Sequence, residues 1–299
     1  MDTIQEFAPN YLAICKYQRR LDPKTLKAYQ IDLRQFCEYL QAQQKPISKK
    51  VLSSFIMEIN QIYQPLTVKR KIASLKAFFN YLERDELLFD NPFHKLSLGI
   101  REPVRLPRTL PLRTIENMLH TAYQRLRSGT PQQREHAIKD IAVMEMLFAT
   151  GIRVSELCHL DVDDVDLTDG NIRINGKGAK ERLIQIGNTN VLAVLKQYIR
   201  QSTRADNCYA FFTNRRGLRL SEQSVRLILR RYENNIHVTP HMFRHTFATL
   251  LLEEAVDIRY IQRMLGHSSI ATTQIYTNVT SQKQKEILAT KHPRNKITP

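Results

Sequence analysis

Apolar positions in the first ninety residues recur at intervals of three and four. In LDPKTLKAYQIDLRQFCEYLQAQ, Leu26, Tyr29, Leu33, Phe36 and Leu40 share one face of a helix, with Asp22 placed to cap it and Pro23 in its first turn. ISKKVLSSFIMEINQIY and LTVKRKIASLKAFFNYLERDELL repeat the pattern, with Ser48 and Thr67 as the corresponding cap candidates. Together with the N-terminal segment this predicts a bundle of about four helices over residues 1–90. The periodicity fails across 91–111, where four of the chain's 12 prolines fall (Pro92, Pro103, Pro107 and Pro111). Proline fixes φ and has no N–H to donate, so 91–111 reads as an extended, basic interdomain linker.

Helical spacing returns near 112–127 and 135–149, and the second of these runs stops at Gly151. RVSELCHL reads as a short helix. Across VDLTDGNIRINGKGAKERLIQIG the period drops to two and glycines mark the turns, which predicts a small hairpin or three-stranded sheet. Helices follow near 189–203 and 221–235, and almost throughout from Thr239 to about Lys291, with a stop at Gly266 and a new cap at Ser268 or Ser269. The expected fold is mainly α with a small antiparallel β-sheet: an N-terminal helical bundle, then a mixed α+β domain over 112–299 that ends in a basic tail, 281–299.

Charge sharpens this picture. The chain of 299 residues carries 45 Lys and Arg against 29 Asp and Glu, a net +16. Residues 1–107 hold 17 basic and 11 acidic residues, and residues 108–299 hold 28 and 18, so both predicted domains are basic. Two basic bodies on a linker suit a polyanion that touches both, and double-stranded DNA held in a C-shaped clamp is the leading reading. A membrane surface is the rival, but no long basic amphipathic segment stands out, and no run approaches the roughly 18 apolar residues of a spanning helix. A hydrophobic fraction of 42% excludes wholesale disorder. Cys15, Cys37, Cys158 and Cys208 form no C-x-x-C pair or zinc-spaced cluster, and the N-terminus lacks an apolar signal core, so a reducing, cytoplasmic setting is expected. Cys37 and Cys158 fall in apolar helical patterns and are expected to pack in cores.

Several chemistries find no support. GKGAK at 176–180 is too short and wrongly ordered for a P-loop, and H-E-x-x-H and G-x-S-x-G are absent. Asp161, Asp163, Asp164 and Asp166 are the nearest thing to a metal cluster, but they read as a solvated acidic loop, and no metal or other cofactor is expected. The informative stretch is 238–280. Thr239 is a cap candidate with Pro240 behind it, which puts His241 and Arg244 one turn apart on one face at a positive helix end, a geometry suited to phosphate. Taken alone the pair is weak, since nine His and 27 Arg would produce about one such spacing by chance. His267 occupies the turn after Gly266, and Tyr276 follows nine residues on, where a lone tyrosine would ordinarily be packing.

ATGIRVSEL (149–157), GKGAKER (176–182), HMFRHTFAT (241–249), LGHSSIATTQIY (265–276) and YTNV (276–279) together resemble the signature of the tyrosine recombinases, the phage-integrase-type strand-transfer enzymes, in order and spacing as well as letters. YQIDLRQFCEYL resembles the helical core-site-binding domain of that family, and KHPR at 291–294 resembles the ending of its Xer-type members. The resemblance implies six catalytic positions, all filled here: Arg153, Lys177, His241, Arg244, His267 and Tyr276. It implies that the arginines grip the scissile phosphate, that Lys177 is the general acid, that His241 assists proton transfer, that His267 hydrogen-bonds the phosphate and that Tyr276 is the nucleophile. It further implies a 3′-phosphotyrosyl intermediate needing neither metal nor ATP, and four protomers on two DNA sites, with or without a sister recombinase. Replicon dimer resolution and mobile-element integration or excision both fit. Lys180 and Arg182 near the hairpin, and Arg215 and Arg216 in a turn, are plausible phosphate contacts. The rivals are a type IB topoisomerase, a catalytically silent DNA-binding protein on the same fold, and a metal-dependent nuclease.

Overall fold

The computed structural model describes residues 2–44, 46–96, 108–176 and 181–266. The chain divides into two compact units, residues 1–104 and 105–299. The first contains helices α1 (Asp2–Tyr17), α2 (Pro23–Gln43), α3 (Lys49–Ile62) and α4 (Pro65–Arg84). Asp22 caps α2 by accepting from the Lys24 N–H at 2.8 Å, and Ser48 caps α3 by accepting from Val51 at 3.3 Å. Thr67 caps nothing. Pro65 supplies a first-turn φ and needs no hydrogen-bond acceptor, so α4 is capped three residues earlier than expected, at Gln64. The apolar stripes meet in an aromatic core, where Phe36 lies 5.0 Å from Phe55 and 5.8 Å from Phe79 between ring centroids.

Residues 91–96 are not extended linker. Pro92–Lys95 form a short 3₁₀ helix, and Phe93 is buried with its ring 5.2 Å from that of Phe79. Asn91 fastens the piece, accepting from Phe93 N–H at 3.1 Å and donating to Asn80 and Glu83 of α4. Burial of one aromatic ring outweighs the extended bias that proline imposes. The far end of the supposed linker is likewise fastened: Leu110 is buried and its N–H donates to Thr246 Oγ1 at 2.7 Å. Positions 97–107 of the expected linker lie outside the described residues.

The second unit is built around α6 (Pro131–Thr150), which is buried on most sides through Ile138, Ile141, Ala142, Val143, Met144, Met146 and Leu147. It starts at Pro131, four residues before the expected start, behind Thr130, whose side chain and that of Gln133 form a reciprocal capping box. α5 (Leu112–Ser128), α7 (Val154–His159), α8 (Thr189–Gln201), α9 (Glu222–Arg231) and α10 (Pro240–Glu253) pack on it, and α11 (Ile258–Leu265) packs on α10. A three-stranded antiparallel sheet, β1 (Val165–Asp166), β2 (Asn171–Asn175) and β3 (Glu181–Gln185), runs in the order β1-β2-β3 with Ile172 opposite Ile184. Ile172, Ile174 and Ile184 face the core, as strand alternation requires. Cys37 and Cys158 are buried, as their patterns predict.

The acidic run is solvated only in part: Asp163 and Asp166 are exposed, whereas Asp164 and Asp161 are paired. Asp164 accepts from Asp161 N–H at 3.0 Å and from Arg173 at 3.1 and 3.2 Å, while Asp161 pairs with Arg219. Neighbouring arginines make the pairing favourable and leave those carboxylates engaged. Among the described residues no group of three or more metal-capable side chains gathers, and no described helix is long and apolar enough to cross a membrane.

Gly151 ends α6 in the left-handed region at φ +59°, and a Cβ there would sit 2.5 Å from Phe247 Cδ1. Gly151→Ala is therefore expected to lower unfolding stability by at least about 1–3 kcal/mol from backbone strain alone. Urea denaturation should show it as a lower midpoint at unchanged slope.

Candidate active site

The turn after Gly151 places Arg153 at the N-cap of α7. Its backbone N–H donates to Glu156 Oε2 at 2.9 Å, and its Nη1 donates to Glu156 Oε1 at 2.7 Å. Its Nη2 reaches the carbonyl of Gly266 at 3.3 Å, while the side chain stays 35% exposed, open to a ligand. Arg244 arrives from the first turn of α10, where Thr239 caps the helix by accepting from Met242 N–H at 3.4 Å. Only 3% exposed, Arg244 donates to the carbonyls of Gly151 at 2.8 Å and Leu265 at 2.7 Å. Two guanidiniums distant in sequence are thus anchored on the adjacent carbonyls 265 and 266, at the glycine stop immediately before His267.

His241 stands one turn before Arg244 on α10, its ring centroid 6.3 Å from that of His245. Desolvation, then the charges of Arg244, Arg153 and Arg226, holds the His241 imidazole below its usual range. The group therefore stays neutral at pH 7, able to accept a proton. His245 is pushed down to about 4 by burial, by His241 and by Arg244. The same positive field acts on both rings, so an anion entering here meets a site already rich in cationic donors.

Glu156 holds this cluster together, and the sequence reading missed it. Its carboxylate takes Arg182 at 2.9 and 2.7 Å in addition to Arg153. Burial alone would raise its pKa. The hydrogen bonds from Arg182 and from the Arg153 backbone, with the Arg182 charge, outweigh that and hold it at about 2. The i, i+3 spacing of Arg153 and Glu156 on a short helix was the available signal.

Arg182 does not stand ready for a phosphate. Besides Glu156 it donates through Nε to the Met264 carbonyl at 2.9 Å, and its side chain is only 11% exposed. A buried carboxylate needs a partner more than a distant ligand does, and Arg182 supplies it. Arg215 and Arg216 are exposed in the 213–219 turn. The charge of Arg215 falls on His136 and Lys139 near the start of α6, roughly 20 Å along the helix from Gly151, so it lies away from the arginine pair. Lys177, Lys180, His267, Tyr276 and the tail 281–299 lie outside the described residues.

Residues 113–283 match the model of the phage integrase family, and residues 9–86 match that of the phage integrase N-terminal SAM-like domain. A tyrosine recombinase of Agathobacter rectalis is 50% identical over 98% of both chains. Tyrosine recombinase XerC of Thermodesulfovibrio yellowstonii is 35% identical over 99% of both. The chain belongs to the phage integrase family of site-specific tyrosine recombinases. The recombinase also shares its fold with the crystal structure of XerH bound to a palindromic difH substrate in a post-cleavage complex, at TM-score 0.71, 21% identity, and coverage of 95% of this chain and 84% of that one.

The depressed Glu156 pKa has a consequence for stability. A carboxylate whose folded pKa lies below its unfolded one, near 4.3, stabilises fully above that value and loses its contribution as pH falls toward 2. Between about pH 5 and pH 2 the recombinase should lose roughly 3 kcal/mol more unfolding free energy than Glu156→Gln, read by urea melts across that range.

Proposed function

We propose that the recombinase binds duplex DNA through both of its basic units and exchanges strands through a 3′-phosphotyrosyl link to Tyr276, without metal or ATP. The convergence of Arg153 and Arg244 on the 265–266 carbonyls supports this reading most directly. Guanidinium forks stay protonated and match the non-bridging oxygens of a phosphodiester, whose charge increases in the pentavalent transition state. The Tyr276 hydroxyl attacks phosphorus and yields its proton, which His241, neutral at pH 7, helps to take. The departing 5′-oxygen is a poor leaving group and receives a proton from Lys177. His267 hydrogen-bonds the phosphate. The phosphotyrosyl bond conserves the energy of the broken phosphodiester, so a 5′-hydroxyl from a second duplex attacks it, and the phenolate leaves.

Strand exchange between two duplexes calls for four copies, one per cleaved strand, with a sister recombinase supplying two of them or none. The basic tail 281–299 docks on a neighbouring copy. A cavity of about 350 Å³ lined by Phe148, Ile186, Val191, Phe247 and Leu250, with Glu145 and Glu254, offers it apolar surface and opposite charge. Lys180, Arg215 and Arg216 add phosphate contacts along the duplex, so affinity falls steeply with salt.

Incubation with sheared genomic DNA in EDTA, followed by a detergent stop, should trap a covalent protein–DNA adduct. Tyr276→Phe should abolish it, and Arg153→Ala should slow its formation about 10²–10³-fold. An adduct that survives Tyr276→Phe, or cleavage that requires a metal, overturns the mechanism. Sequencing the joined products assigns the substrate to replicon dimers or to mobile-element ends.

A further inference from the structure

In the first unit a buried carboxylate holds two cations. Asp32 of α2 is 2% exposed. Lys71 of α4, itself 3% exposed, meets its Oδ1 at 3.0 Å and is further held by Gln35 and by the face of the Tyr63 ring, 4.6 Å from Nζ. Asp32 and Lys71 already neutralise each other. Arg70 nevertheless joins the same carboxylate end-on, Nη2 to Oδ1 at 2.9 Å and Nη1 to Oδ2, with a side chain that is 42% exposed.

That geometry leaves the cluster with one surplus positive charge, carried at the surface by Arg70. Asp32 occupies two of the five guanidinium N–H groups, so it leaves the side-on edge, Nε–H with one Nη–H, unused on a side chain that is partly exposed. A guanidinium held in plane by a buried carboxylate has lost rotamer freedom before any ligand arrives, which lowers the cost of engaging an acceptor pair of fixed geometry such as a base edge. Lys69 and Lys76 on α4, and Lys27 and Arg34 on α2, are exposed and give both helices a basic surface. They supply attraction without sequence information, whereas a fixed fork supplies discrimination.

We propose that Arg70 reads a guanine edge in the major groove, through O6 and N7, and that Asp32 is the residue that positions it; this rests on the reading of the chain as a DNA recombinase. The experiment is selection from a randomised duplex library, with sequencing, for the full-length wild type, Arg70→Lys and Asp32→Asn. The wild type should enrich a motif containing a guanine whose preference drops roughly tenfold or more in Arg70→Lys, at that base pair alone. Lysine keeps the charge, so the salt slope should be unchanged. Asp32→Asn should blur the same base pair and no other, in protein shown folded by its thermal transition. An unaltered motif with uniformly weaker binding in Arg70→Lys overturns the proposal in favour of a phosphate contact and leaves the recombinase reading intact. A folded Asp32→Asn that keeps full preference overturns the positioning role. A wild type that enriches no motif overturns the recombinase reading and this proposal with it.

Discussion

A guanidinium buried in protein must be given acceptors, and Arg244 finds them on two helix ends. Its partners are the carbonyls of Gly151, closing α6, and Leu265, closing α11. Such terminal carbonyls lack intrahelical donors, so arginine and helix ends satisfy one another. Both stops turn into the left-handed region through glycine, at positions 151 and 266, and at each the added methyl of any other residue would strike a neighbour: Phe247 in one case, the Arg182 guanidinium in the other. Arg244, the two glycine turns and the packing of α10 against α11 are therefore a single constraint.

Around that constraint the charges are deliberately unbalanced. Arg153 and Arg182 share one buried carboxylate, Glu156, Arg244 is held on backbone carbonyls, and the two histidines on α10, desolvated and beside Arg244, stay neutral. Excess cationic donors in a partly desolvated place cost stability when nothing binds and strengthen the hold on an anion when one does. The single carboxylate keeps the arrangement foldable while leaving a positive remainder.

What was legible in the sequence was mostly local. Asp22, Ser48 and Thr239 cap their helices, and Gly151 and Gly266 end theirs, because capping depends on residues within one turn. Thr67 misled because Pro65, two residues earlier, competes for the same helix start and needs no capping bond. Residues 91–96 looked like linker because nothing near Phe93 reveals that its ring belongs beside Phe79. Arg182 looked like a phosphate contact for the same reason: its partner, Glu156, is 26 residues away. That Arg153 joins the His241–Arg244 pair was readable only through the family signature, since no periodicity links positions so far apart.

Arg182 ties strand β3 to the Met264 carbonyl and to Glu156. The hairpin that carries Lys177 and the chain that leads on to Tyr276 therefore share one fastening. Under the proposed roles these are the proton donor and the nucleophile, the two groups that must act on opposite sides of the same phosphorus. A displacement of β3 therefore pulls on the end of α11 through this bond and the packing beside it. The strand that follows the proposed proton donor in sequence and the helix end that precedes the proposed nucleophile are thus held by the same side chain.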